Sequence, residues 1–296
     1  MSINSLTIIG ERINPGFASS KALLDAQDIG GLQKLAVSQH QKGAEYLTIN
    51  VGEQADTSPE FLAHLIEAVQ EVSDLPLSFD YPHQSIQELC LKTYDQSKAA
   101  GRKPIVNSIS ELRLGMLDLL KIRPFRLVAM ASERLENGQP MPNTTPQEIA
   151  QTAIRMAERI ITTAPEMTLD DILIDVSLCP LATDTEGQTR RAIEAIQIIG
   201  SDPSLKGIHI VVGLSNLGIM LPKLATDGSR LSTKLESAFL TLTMPTGLDT
   251  ALATPGRDYQ FLPDDDFVLQ GFKEAISMDG YDTLICLKKL YKKGTP

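Results

Sequence analysis

Three cysteines in 296 residues, Cys90, Cys179 and Cys286, are too few, too far apart and odd in number to build a disulfide framework. That points to a reducing, cytoplasmic setting. The four histidines, His40, His64, His83 and His209, show no metal-ligand spacing with one another or with the cysteines, so no metal site is expected. No apolar run approaches the roughly 20 residues needed to span a bilayer. The start of the chain, Met1 to Ser5, lacks the basic region of a signal peptide and leads straight into a short apolar stretch. Basic residues are scattered and never form a stripe, and the net charge is −10, which excludes a nucleic-acid backbone binder. What remains is 42% hydrophobic, with mean hydropathy close to zero, the balance of a soluble globular protein with a real core.

The chain repeats one local grammar. The run 208–213, Ile208-His209-Ile210-Val211-Val212-Gly213, closes on a glycine and is followed by the polar tip Leu214-Ser215-Asn216. Other apolar runs stop on a single hydrogen-bonding side chain: 77–80 on Asp80, 105–107 on Asn107 and 172–175 on Asp175, while 46–49 is followed by Asn50. Together with 6–9, 126–130 and 250–253 these give eight short strands. Helical periodicity lies between them. The clearest case is 59–72, opened by Pro59 and carrying Phe61, Leu62, Leu65, Ile66 and Val69 on one face. Further helices are expected up to Lys42 and over 85–100, 111–120, 146–163, 186–199, 231–244, 264–278 and 281–292. The Asn-, Gly- and Pro-rich segment 133–146 is expected as a loop covering a site.

Eight strands alternating with helices predict a closed α/β (β/α)8 TIM barrel with C-terminal helices. A doubly wound open sheet would favour a glycine-rich phosphate fingerprint after the first strand, and Gly10-Glu11-Arg12-Ile13-Asn14 is not one. With no internal repeat, low-complexity tract or linker, residues 1–296 read as one domain.

In such a barrel the C-terminal strand ends face the active-site mouth. Asp80, Asn107, Asp175, Asn216 and Asn50 fall there. Carboxylates just beyond buried strands lose solvation and need donors. Two carboxylates and two amides suit a flat, nitrogen-rich heterocycle and suit a phosphate poorly. Each residue alone could equally cap a helix or satisfy loop amides. It is the set that points to a polar ligand in a barrel mouth.

The pieces Ile8-Ile9-Gly10-Glu11-Arg12-Ile13-Asn14, Leu47-Thr48-Ile49-Asn50-Val51-Gly52, Phe79-Asp80, Ile105-Val106-Asn107-Ser108, Leu173-Ile174-Asp175, Val212-Gly213-Leu214-Ser215-Asn216 and Gly247-Leu248-Asp249-Thr250-Ala251 are collinear. In them the chain resembles the pterin-binding barrels. Within these it resembles the methyltetrahydrofolate:corrinoid protein methyltransferases, related to the folate domain of cobalamin-dependent methionine synthase. The resemblance implies that Asp80, Asn107 and Asp175 hold the pterin ring, with Asn50, Glu11, Gly213 and Ser215 also in the folate site. It places Asn216 near N5, the nitrogen bearing the methyl group. An oriented amide there can stabilise the proton that makes N5 a leaving group without carrying charge itself.

The implied substrates are methyltetrahydrofolate or tetrahydrofolate and cobalamin, a corrinoid. No cobalamin-binding Asp-x-His-x-x-Gly stretch is present, so the corrinoid would come on a partner protein. The resemblance also implies a homodimer. The sequence departs from the family at Thr48, where Asp is common, and in a longer loop 217–230. Arg230 resembles an arginine found after that loop in the family and equally fits a surface ion pair.

Glu11 and Arg12 read either as an ion pair at the mouth or as part of the folate site. Cys179 reads as a free buried thiol, Asp264-Asp265-Asp266 as helix capping, and Arg190 and Arg191 as a solvated helix face. Two other functions compete. Dihydropteroate synthase needs a basic residue for pyrophosphate near the seventh strand tip, and Gly213-Leu214-Ser215-Asn216 has none adjacent. A subunit that binds folate without turnover is the third reading.

Overall fold

The computed structural model describes residues 1–291. The chain runs β1 (Thr7–Gly10), α1 (Ala18–Asp25), α2 (Ile29–Gln41), β2 (Tyr46–Ile49), α3 (Gln54–Thr57), α4 (Pro59–Val72), β3 (Leu77–Asp80), α5 (Gln84–Thr93) and β4 (Ile105–Ile109). A 3-10 segment, Glu111–Lys121, leads to β5 (Arg126–Met130). Then follow β6 (Glu133–Glu136), β7 (Gln139–Pro142), α6 (Pro146–Thr163), β8 (Ile172–Asp175), α7 (Gln188–Ser201), β9 (His209–Gly213), α8 (Leu231–Thr243), β10 (Thr250–Ala253), α9 (Phe267–Ser277) and α10 (Tyr281–Leu287). Eight parallel strands close in the order β1-β10-β9-β8-β5-β4-β3-β2, the predicted (β/α)8 barrel.

Strand alternation divides the apolar residues into two cores. Every second side chain points out to the helices: Leu77 and Phe79 of β3, Leu127 and Ala129 of β5, and Ile172 and Ile174 of β8 belong to the large shell. The others point inward. Ile9, Ile105, Val128, Leu173 and Val211 pack as a separate plug, with Tyr46 and Leu252 against it. Burying each of these side chains contributes about 1.5–3 kcal/mol, and together they fill the barrel waist. One inward step further along each strand, two residues on, the chain reaches Glu11, Asn107, Met130, Asp175 and Gly213. The same spacing carries the inward Ser78 of β3 to Asp80. Register holds these tips level, since Asp80 pairs with Asn107 and Met130 with Asp175.

The β3 and β4 tips are tied from behind. Gln87 of α5 is fully buried, and its Nε2 donates to Phe79 O (2.9 Å), Tyr81 O (2.9 Å) and Asn107 O (3.1 Å). Elsewhere the helices approach the barrel more closely than side chains allow. A Cβ on Gly200 of α7 would lie 1.8 Å from Thr246 O, so only glycine fits there.

Four expectations change. The helix expected over 111–120 is the 3-10 segment Glu111–Lys121, broken at Arg113 by non-helical backbone angles. The helix after β3 stops at Thr93, where Thr93 Oγ1 bonds back to Leu89 O (2.9 Å) and Asp95 turns the chain by accepting from Ser97 N (2.9 Å). The segment 133–146 holds the hairpin β6–β7. Its turn, Asn137-Gly138, has φ of 51° and 78°, the two positive values a tight two-residue turn demands. The hairpin does not cover the mouth. It docks on the 3-10 segment through Leu135 N, which donates to Glu111 Oε2 (2.8 Å). The terminal helix ends at Leu287 and continues as a 3-10 turn, Lys288–Leu290; its expected end, Lys292, lies outside the described residues.

Replacing Gln87 by Leu keeps the volume and removes the amide donor shared by these carbonyls, of which Asn107 O still accepts from Tyr81 N. The variant is expected to lose about 2–4 kcal/mol of stability and to exchange the Tyr81 amide faster, since that N–H donates to Asn107 O at the loosened tip (2.9 Å). An unchanged urea midpoint would remove Gln87 from this role.

Candidate active site

The strand tips enclose a cavity of about 270 Å³. Its floor is the inner plug, through Ile9, Val128, Val211 and Leu252, and its walls carry Asp80, Asn107, Asp175 and Asn216. Four side chains separated by up to 136 positions thus meet in one space. Gly213 opens it: a Cβ there would press on Asn216 Nδ2 at 2.9 Å. Above lies a wider cavity of about 940 Å³ that shares Asp80, Gly213, Asn216 and Leu252 with the first. Asn216 therefore stands at the boundary between the two.

The carboxylates are poorly solvated. Burial pushes Asp175 up to about 6; a hydrogen bond from Ser177 N (2.7 Å) offsets part of this, and the negative charge of Asp80 adds to it. Burial also raises Asp80, against a bond donated by Asn50 Nδ2 to Asp80 Oδ2 (3.1 Å). Both groups are acceptors short of donors, a deficit that a ligand rich in N–H groups would fill.

The amide of Asn216 is oriented: Nδ2 donates to Leu178 O (3.1 Å). Among the described residues Oδ1 has no donor, so this end of the amide is an open acceptor.

The other sequence-predicted residues sit differently. Asn50 lines neither cavity. It holds Asp80, and its own Oδ1 accepts from Gly52 N (2.8 Å), which makes it a positioning residue. Glu11 and Ser215 belong to the outer cavity. Buried Glu11 accepts from Ser215 Oγ and Thr254 Oγ1, both at 2.6 Å, and so ties the ends of β1, β9 and β10 together. The alternative Glu11–Arg12 ion pair does not form: Arg12 bonds Ser19 Oγ (2.9 Å) and lies over the Phe17 ring, 4.0 Å from its centroid.

Cys179 is a thiol whose pKa burial raises to about 11, too high for a nucleophile. Asp266 caps α9 through Val268 N (2.9 Å) and Leu269 N (3.2 Å), and Arg190 pairs with Asp279 (2.8 Å), away from the mouth.

Sequence reasoning missed Ser108 and Met130 in the inner wall, with Arg113 behind them, bonded to Ser108 Oγ (3.3 Å) and Met130 Sδ (3.4 Å). It also missed Arg257 and Phe17 in the outer cavity. Along the chain no basic residue adjoins the β9 tip, Gly213-Leu214-Ser215-Asn216. In space, Lys223, Arg230 and Arg257 all line the outer cavity. Arg257 is spoken for: it pairs with fully buried Glu236, which also accepts from Tyr259 Oη (2.8 Å). Burial would lower Arg257, and the charge of Glu236 outweighs it to hold the guanidinium above its ordinary pKa. The one clue in the sequence was the Thr254-Pro255-Gly256-Arg257 turn directly after β10.

The model of the pterin-binding enzyme family matches residues 15–252. The chain is 27% identical over 259 residues to the methylcorrinoid:tetrahydrofolate methyltransferase of Eubacterium limosum, covering 84% of this chain and 85% of that protein. Among solved structures, the dihydropteroate synthase of Burkholderia cenocepacia superposes with a TM-score of 0.57 at 16% identity, covering 93% of each chain. That of Thermus thermophilus in complex with 6HMPPP gives 0.56 at 16% identity, covering 86% of this chain and 91% of that one. At these identities the structures establish the shared fold.

The Asp175 environment makes a pH-dependent prediction for the ligand-free protein. Its pKa is about 6 folded against an ordinary 3.8, so between those values the native state keeps a proton that the unfolded chain has lost. Stability from this group is therefore present at low pH and lost as pH rises through about 6. Asp175→Asn is expected to be more stable than the parent at pH 8 by roughly 1–3 kcal/mol, and to lose that advantage near pH 4. Parallel urea midpoints for the two proteins across this range would show that the carboxyl is not desolvated.

Proposed function

The chain belongs to the pterin-binding enzyme family, and we propose that it moves the N5-methyl group between methyltetrahydrofolate and the cobalt of a corrinoid carried by a partner protein. The observation carrying this reading is the meeting of Asp80, Asn107, Asp175 and Asn216 in one cavity, with the free amide oxygen of Asn216 at its opening. The methylcorrinoid:tetrahydrofolate methyltransferase relative supports the choice of reaction within the family.

A pterin presents ring N–H and amino donors along one edge. In the inner cavity these would meet Asp80 and Asp175, and the donors would restore what burial took from both carboxylates. Asn107 can give as well as accept, which suits the carbonyl that neighbours those donors. The apolar floor closes the far side of the ring to water.

Transfer out of methyltetrahydrofolate breaks the bond between N5 and the methyl carbon, and its electron pair stays on N5. The nitrogen is a poor leaving group unless N5 is protonated first. Protonated N5 can donate to Asn216 Oδ1, while Nδ2 of the same amide is held by Leu178 O. Because an amide does not take the proton, it steadies the charged nitrogen without neutralising it. In the reverse direction the same oxygen accepts from the N–H of tetrahydrofolate. The corrinoid supplies the cobalt that receives or delivers the methyl, and the outer cavity is its route to N5.

Dihydropteroate synthase is the second reading, and the cations of the outer cavity favour it, since they could receive pyrophosphate. Against it, Arg257 is already neutralised by Glu236. Incubation with 4-aminobenzoate and the pterin pyrophosphate separates the two: dihydropteroate formation would replace the first reading.

The direct assay mixes the protein with methyltetrahydrofolate and reduced free cobalamin, and in reverse with methylcobalamin and tetrahydrofolate, following the cobalt spectrum. Methyl transfer in at least one direction is expected. Bound folate with no transfer either way would leave only a binding role. Asn216→Ala is expected to lower kcat about 100- to 1000-fold, with KM for folate changed only a few-fold. Equal losses in binding and turnover would take Asn216 out of the chemical step.

A further inference from the structure

The outer cavity has a charge pattern the methyl transfer itself does not use. Its lining combines half-buried apolar side chains, Phe17, Leu221 and Leu252, with the exposed cations Lys223 and Arg230. The fold makes these two cations neighbours. An antiparallel bridge pairs Leu224 with Arg230, and Leu231 N donates to Lys223 O (3.0 Å). Other nearby cations are committed: Lys234 to Asp266 (2.7 Å) and Arg257 to Glu236. Among the described residues Lys223 and Arg230 pair with no carboxylate, and Arg230 makes only a long bond to Ser232 Oγ (3.4 Å). In a chain of net charge −10, two free cations at the exit of an otherwise acidic pocket call for an anion. Arg12 feels both signs of charge: burial lowers its pKa, Glu11 raises it, and Arg257 and Arg230 lower it.

We propose that the outer cavity holds the tail of the folate, its aromatic ring against the apolar wall and its glutamate carboxylates on Lys223 and Arg230. This rests on the pterin reading of the inner cavity. Tetrahydrofolate has this order of chemistry: an N–H-rich ring, an aromatic amide, then one or more carboxylate-bearing glutamates. Both cations are accessible to solvent, so each contributes modestly and the contribution is screened by salt. Their value lies in number, since every added glutamate brings another carboxylate to the same pair.

The test is calorimetric titration of the full chain with three probes: 6-methyltetrahydropterin, which has no tail, tetrahydrofolate, and tetrahydrofolate triglutamate. Wild type is expected to bind them in rising order of affinity. Lys223→Gln and Arg230→Gln are each expected to weaken tetrahydrofolate about threefold, and the pair about tenfold. The loss should be larger for the triglutamate, absent for 6-methyltetrahydropterin, and reduced in high salt. Equal affinity of wild type for all three probes, or an equal loss for the tail-less pterin, overturns the inference and leaves the pterin site standing. A raised KM for free cobalamin with folate affinity unchanged assigns the cations to the corrinoid phosphate and likewise overturns it. No binding of any probe overturns the pterin reading and this one with it.

Discussion

The constraint on which the rest depends is the two-residue period of a strand in a closed barrel. Once Ile105, Val128, Leu173 and Val211 are fixed inward as the plug, the residue two further along each strand must also point inward, and it arrives where the plug has ended. A polar side chain at that position cannot turn away to solvent without moving the strand. Asn107, Met130, Asp175 and Gly213 are therefore placed by the packing of the layer beneath them. Asp80, level with Asn107, joins them. The packing energy lies in the plug and the helical shell, and the polar ring above it is carried by both.

That arrangement has a thermodynamic consequence for Asp175 and Asp80. Both are held where burial disfavours their charge, and among the described residues a single bond reaches each, from Ser177 N and Asn50 Nδ2. A structure selected for stability alone would place apolar residues there or more donors around them. The under-satisfied carboxylates instead keep acceptor capacity for a ligand. Asn216 follows the same logic in neutral form: half of its amide is spent on orientation, through Leu178 O, and the other half is left open. In each case the fold saturates one end of a polar group and leaves the other.

Much of this was legible in the sequence because it depends on local order. Apolar runs of three to six residues mark the eight barrel strands, and five of them have the predicted bounds, among them 46–49 and 172–175. The residues Asp80, Asn107, Asp175 and Asn216 stood out because each ends or directly follows such a run. What escaped depends on contacts between distant segments. Asn50 looked like Asp80 in its local setting, yet neighbouring strands turn it into a support. Arg257 reaches the mouth from the loop after the last barrel strand, and its partner Glu236 lies on α8. The Asn137-Gly138 turn is the exception, a local hairpin signal that was readable and hidden by the loop-like composition around it.

The two cavities together divide the charge. The inner one holds carboxylates short of donors, the oriented amide of Asn216 lines both, and the outer one adds apolar side chains and, among the described residues, the exposed and unpaired cations Lys223 and Arg230. A ligand of one charge throughout would be repelled at one end. Pyrophosphate satisfies only the exit, and a bare pterin satisfies only the floor. The sequence of demands is met by a molecule that is donor-rich at one end and anionic at the other, with a flat apolar link. Such a ligand would be oriented by charge before any close contact formed, ring inward and tail outward. Its reactive nitrogen would then lie beside Asn216, which lines both cavities.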